Sequence, residues 1–185
     1  MQEIHHIESQ DDTKEPVSHL IWFRLPWLVV GLFGGVVTSI IVSKYETILQ
    51  EHVRLAFFIP VIVYLSDAVG TQTETIYIRN LKGKVSKFSK YFVKETLFGM
   101  SLGSIFGIIL GAFSYWWLQD WEVSATVAIA TFVNVTIAPI LAVLIPTILV
   151  REHSDPALGA GPFATILQDL LTLLIYFAVA SAIIL

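Results

Sequence analysis

The 185-residue sequence has no cysteine, so a disulfide frame, a thiolate metal site and a thiol nucleophile are all excluded. Charge is scarce as well: Asp, Glu, Lys and Arg make up 14% of the chain, against about 25% in soluble globular proteins. That is too little polar surface to cover a compact soluble protein of this length. The net charge of −4 offers no broad basic field to a polyanion, which argues against nucleic-acid binding. Neither a Walker sequence nor GxGxxG is present, so no nucleotide or other cofactor site is expected. The first 15 residues (MQEIHHIESQDDTKE) lack an apolar core and do not read as a signal peptide. What is abundant is apolar: 55% of residues are hydrophobic, and the chain reads as an integral membrane protein.

A spanning helix needs about 20 mostly apolar residues. Five runs qualify, at about 26–44, 55–78, 95–118, 123–150 and 162–185. They lack the period-2 alternation of barrel strands, so the expected fold is all-α with five transmembrane helices. The fourth run is long enough to require tilt or a kink. Residues 1–16 read as a polar tail, 17–25 (VSHLIWFRL) as a short interfacial helix ended by Pro26, and 26–185 as a five-helix transmembrane domain. Between the second and third spans lie Arg79, Lys82, Lys84, Lys87, Lys90 and Lys94, six of the eleven basic residues. The positive-inside rule places that loop in the cytoplasm, with the N-terminus inside and the C-terminus outside. The loop after the third span (Gln119 to Glu122) has no basic residue, which agrees with an outer position.

Ionisable groups inside the spans carry most of the functional information. A central carboxylate costs about 2.5–3.5 kcal/mol on insertion scales, so it needs a partner or a function. Asp169 lies well inside the fifth span, Asp67 and Glu74 inside the second, and Glu46 at the outer end of the first. The nearest basic residues, Arg24, Arg79 and Arg151, sit at span ends, so a passing cation or a proton is the natural source of compensating charge. In the fifth span Thr165, Asp169, Thr172 and Tyr176 recur at i, i+4, i+7 and i+11, one face of a helix. Asp67, Thr71, Glu74 and Ile78 repeat the step in the second span, and Ser39, Ser43 and Glu46 in the first; the fourth adds Thr131 and Asn134. The alternative is that the hydroxyls bond back onto their own helices and the carboxyls pack as protonated contacts. All these donors are hard oxygens, whereas the five His lie in the tail or near span ends. That set suits Mg2+, Ca2+ or Mn2+ better than copper or zinc, and Mg2+ is the expected cargo, with Mn2+ or Co2+ as further candidates.

Gly99, Gly103, Gly107 and Gly111 form a glycine zipper along the third span. Its smooth face fits either packing within the chain or a subunit interface. Trp116, Trp117 and Trp121 form an aromatic belt at the expected outer boundary.

Three stretches, RLPWLVVGLFGG (24–35), FFIPVIVYLSDAVGTQTETIYIRNL (57–81) and DPALGAGPFATILQDL (155–170), resemble the transmembrane domain of MgtE-type magnesium channels and transporters. That family is related to the eukaryotic magnesium solute carriers. The resemblance implies a homodimer in the bilayer of the cell (inner) membrane, with the ion path at the subunit interface. It implies that Asp169 binds the hydrated ion and that Thr165 contributes a backbone carbonyl. The chain departs from the family where Ser66, Asp67 and Ala68 replace a GGN stretch, and where Glu74 replaces a small residue. The cytoplasmic magnesium-sensing domains of bacterial members have no counterpart here, so the sequence is either a stand-alone pore or a shortened chain.

The expected function is divalent-cation transport, chiefly of Mg2+, with Asp169, Thr165, Asp67, Glu74 and Glu46 as metal-binding residues. The extra carboxylates leave open a Na+- or H+-coupled exchanger. An intramembrane aspartyl protease would need a GxGD motif, which is missing before Asp169; no catalytic residue is expected. A structural membrane subunit is the remaining alternative.

Overall fold

The computed structural model describes residues 16–81, 88–151 and 156–184; most of the polar tail, Lys82, Lys84, Lys87, His153 and Asp155 lie outside them. No strand occurs among the described residues. Helix α1 (Val17–Ser43) is followed by the short α2 (Glu46–Glu51), a 3-10 turn (Val53–Phe58), α3 (Ile59–Leu81), α4 (Phe88–Leu118), α5 (Trp121–Arg151) and α6 (Pro156–Ile184). Five segments are long and apolar enough to cross a membrane: Arg24–Ser43, Val53–Asn80, Phe88–Leu118, Trp121–Val150 and Phe163–Ile184. They match the five spans expected from the sequence.

Two local expectations are corrected. Pro26 does not end a helix: it lies inside the continuous α1. Proline removes one backbone bond, but in an apolar run leaving several backbone groups unpaired would cost more than losing one. Glu46 does not finish the first span either. The chain turns at Lys44 and Tyr45, whose N–H groups reach back to the carbonyls of Ile41 and Val42, and Glu46 opens α2. Tyr45 fixes that turn by stacking on Phe177 of α6, with ring centroids 4.6 Å apart.

Helix α5 is the central post. It packs on α4, α6 and α3, whereas α1 leans on α6. The glycine zipper shows why α4 and α5 lie so close. A methyl group at Gly99 would sit 2.8 Å from the Thr136 carbonyl oxygen, at Gly103 2.6 Å from that of Phe132, and at Gly107 2.8 Å from that of Ala128. At Gly111 it would meet the Ala128 side chain at 2.7 Å. Three of the α4 glycines thus face α5 backbone and Gly111 faces the Ala128 methyl, in antiparallel register, and the zipper is internal to the chain. A two-residue connection makes this register possible. Gln119 takes a left-handed conformation (φ 51°), and the Asp120 carboxylate then accepts from the Val123 N–H to start α5.

The main apolar core fills the end of the bundle that carries α2. Leu55, Phe58, Ile62, Val123, Val127, Tyr176 and Phe177 meet there. The Tyr176 hydroxyl donates to the Leu55 carbonyl at 2.7 Å, tying α6 to the 3-10 turn. Smaller clusters follow along the bundle, at Val69, Val135 and Ala138 and then at Ile145 and Ala164.

Candidate functional site

On α6, Thr165, Ile166, Asp169 and Leu173 border a cavity of about 670 Å3. Leu28, Gly31, Gly35 and Thr38 of α1 form the opposite wall, and Val63 of α3 closes one side. Gly34 brings the two helices together, because a side chain there would collide with Ile166. Gly35 meets nothing within 4 Å and leaves room for the cavity. Six waters of a hydration shell occupy roughly 180 Å3 at about 30 Å3 each. The space beside Asp169 therefore admits a hydrated divalent ion.

A second cavity of about 720 Å3 lies toward α2 and shares Thr38 and Leu173 with the first. Its polar border consists of Thr38, Ser39, Ser43, Glu46 and Gln50. The hydroxyls donate to their own helix: Thr38 to the Gly34 carbonyl (2.9 Å), Ser39 to Gly35 (3.0 Å) and Ser43 to Ile40 (2.8 Å). This back-bonding fixes each hydrogen toward the helix and leaves the oxygen lone pairs as acceptors only. Such oxygens suit the water shell of a cation. Gln50 donates to Glu46 at 2.9 Å and holds that carboxylate at the cavity. Glu46 thus borders one cavity and Asp169 the other, and the two cavities share Thr38 and Leu173.

The expected polar face of the fifth span holds only in part. Thr165 and Asp169 border the cavity, but Thr172 and Tyr176 are buried in the core. The Thr172 carbonyl accepts from the Asn134 amide of α5 at 3.3 Å. At about 100° per residue these four positions form a band roughly 60° wide, and that band lies across the boundary between core and cavity.

Asp67 and Glu74 line neither cavity. Glu74 is buried, whereas Asp67 is half-buried. Among the described residues no three His, Cys, Asp or Glu converge as a metal-binding group.

Two polar features escaped the sequence reading. Gln168 is buried, and its amide nitrogen donates to the Ser66 carbonyl of α3. A long amide beside Asp169 in an apolar run was the available signal. Thr73 donates to Glu95 of α4 at 3.2 Å, so the third span also carries a hydrogen-bonded carboxylate near one end.

The sequence pattern of the MgtE divalent cation transporters matches residues 59–179, which include Asp67, Glu74, Thr165 and Asp169. The chain is similar to the magnesium transporter MgtE of Bacillus subtilis, with 34% identity over 174 residues, 92% of this chain and 38% of that protein. The Enterococcus faecalis magnesium transporter MgtE is 34% identical over 161 residues, 85% of this chain and 36% of that protein. That of Thermus thermophilus is 31% identical over 166 residues, 86% of this chain and 36% of that protein. The chain therefore spans less than two-fifths of the length of these curated relatives.

Proposed function

Because the chain belongs to the MgtE family of divalent cation transporters, we propose that it carries Mg2+ across the cell membrane through the two cavities that Glu46 and Asp169 border. It acts as a transporter rather than an enzyme. The observation that carries this reading is the Asp169 carboxylate: it stands within a membrane-spanning helix, at a cavity large enough for a hydrated ion. A carboxylate in apolar surroundings is costly unless a cation accompanies it. Mg2+ holds its water tightly and is commonly bound through one or two carboxylates. Asp169 with the acceptor oxygens of Thr165 and Thr38 fits an ion held mostly through its waters.

The working unit in this proposal is a homodimer. Among the described residues of one chain no three acidic or His side chains come together, and a second copy that presents its own Asp169 would add ligands to the site. The cavity lies between α1 and α6, and α1 is the least enclosed of the five spans, with Leu28, Leu32 and Phe33 exposed. Asp67 serves as an electrostatic neighbour that raises the local attraction for a cation.

Uptake into reconstituted vesicles tests the reading. Asp169→Ala and Asp169→Asn should both abolish Mg2+ entry while the protein remains folded, since the amide keeps size and loses charge. Near-normal uptake by either variant overturns the assignment.

A further inference from the structure

We propose that Gln168 is a positioning residue for transport: by gripping the α3 backbone it holds Asp169 and Asp67 at the separation that sets cation affinity and preference. This rests on Asp169 being the cation site.

Gln168 and Asp169 are consecutive on α6, so they point about 100° apart. Asp169 faces the cavity and Gln168 faces α3, where it is only 5% exposed. Its amide nitrogen donates to the Ser66 carbonyl. Within α3, that carbonyl is also the acceptor position for the Gly70 N–H, four residues on. Gln168 therefore lies alongside an existing helix bond, and Gly70 makes the room. The three atoms nearest to a methyl group built at Gly70 are all from the Gln168 amide.

The contact lies next to both carboxylates. Ser66 precedes Asp67 on α3, and Gln168 precedes Asp169 on α6. Each carboxylate directly follows a residue of the clasp, so like charges there, without a cation, would push α3 and α6 apart. A neutral amide clasped to a backbone carbonyl resists that push and adds no charge. Van der Waals packing alone could join the helices, but it would not fix their rotation. A hydrogen bond from a buried side chain does, and rotation of α6 decides where Asp169 points. Mg2+ demands near-ideal octahedral geometry, whereas Ca2+ tolerates varied and longer coordination. A loosened pair should therefore bind Mg2+ less well and discriminate less against Ca2+.

Two variants remove the clasp by different atoms. Gln168→Met keeps the length and loses the donor, and Gly70→Ala keeps Gln168 and displaces its amide. Each is reconstituted as the full chain, and Mg2+ uptake is measured with and without Ca2+ as competitor. Both should raise KM for Mg2+ about fivefold, the size of one lost buried hydrogen bond, with maximal rate within about twofold of wild type. Both should strengthen inhibition by Ca2+, and the double variant should match either single one. Wild-type KM and Ca2+ inhibition in folded Gln168→Met, or effects that multiply in the double variant, overturn the proposal. If one variant fails to fold, the other carries the same comparison. Asp169→Asn in the same assay separates the two readings. Normal uptake there removes the cation site itself; an inactive Asp169→Asn beside a wild-type-like Gln168→Met removes only the clasp.

Discussion

A single methyl group added at Gly103 tests the packing that holds the bundle together. The new carbon would lie 2.6 Å from the Phe132 carbonyl oxygen and 3.0 Å from the Thr136 hydroxyl. Nonbonded heavy atoms settle at about 3.5 Å, so the first contact is short by roughly 0.9 Å. The obstructing atom is backbone in the middle of α5, and no rotamer change can move it. The helices must separate along the zipper, which loosens Gly99 and Gly107 against their own carbonyl partners as well. Overpacking of this kind costs about 1–3 kcal/mol, while the intrinsic helix preference of Ala over Gly returns about 0.5–1 kcal/mol. Mid-range values leave a net loss of roughly 1.25 kcal/mol. Gly35→Ala is the control, because nothing lies within 4 Å of its added methyl and only the helix gain remains. Thermal unfolding of the purified variants in one detergent gives the comparison. Gly103→Ala should melt below wild type and Gly35→Ala at or above it. A Gly103→Ala protein as stable as wild type would show that α4 and α5 are not in this contact.

Tyr176→Phe should cost about 1 kcal/mol by leaving the Leu55 carbonyl without its side-chain partner, read as a lower unfolding temperature with Mg2+ uptake retained. Glu46→Gln should raise KM for Mg2+ at low ionic strength, and the difference should shrink as salt screens the cavity entrance; an effect independent of salt would rule out electrostatic capture. Asp67→Gly, which removes the carboxylate, should keep divalent uptake and shift its Mg2+/Mn2+ preference or its dependence on pH or Na+. Unchanged preference and unchanged pH and Na+ curves would leave Asp67 with no part in transport.

The spans were legible because a bilayer imposes one demand, about 20 apolar residues in a helix, and the sequence answers it five times. Their ends were less so. Helix α4 begins at Phe88, seven residues before the apolar run suggested, because Lys90 and Lys94 stay at exposed positions on a helix that continues past the apolar stretch. The six-residue α2 is too short for periodicity to reveal. The zipper was visible as a pattern, but its partner was not. Spacing marks a smooth face, and only packing tells whether this chain or another covers it. The same limit applies to the site. Asp169 and Thr165 stood out by charge and spacing, and the structure sets both at one cavity. That Thr172 and Tyr176 turn into the core depends on how α6 is rotated, which spacing alone leaves open. Gln168 is inconspicuous in the sequence because an amide in a span carries no charge to explain. Its importance comes from Gly70 and Ser66, about a hundred residues earlier in the chain.

A divalent ion that crosses the membrane beside Asp169 should be visible there directly. The most direct measurement is anomalous X-ray scattering from crystals of the full chain grown with Mn2+ in place of Mg2+. A peak is expected at the cavity between α1 and α6, within direct or water-mediated reach of the Asp169 carboxylate and absent from Asp169→Asn crystals. Mn2+ bound only elsewhere, with that cavity empty in wild-type crystals, would contradict it.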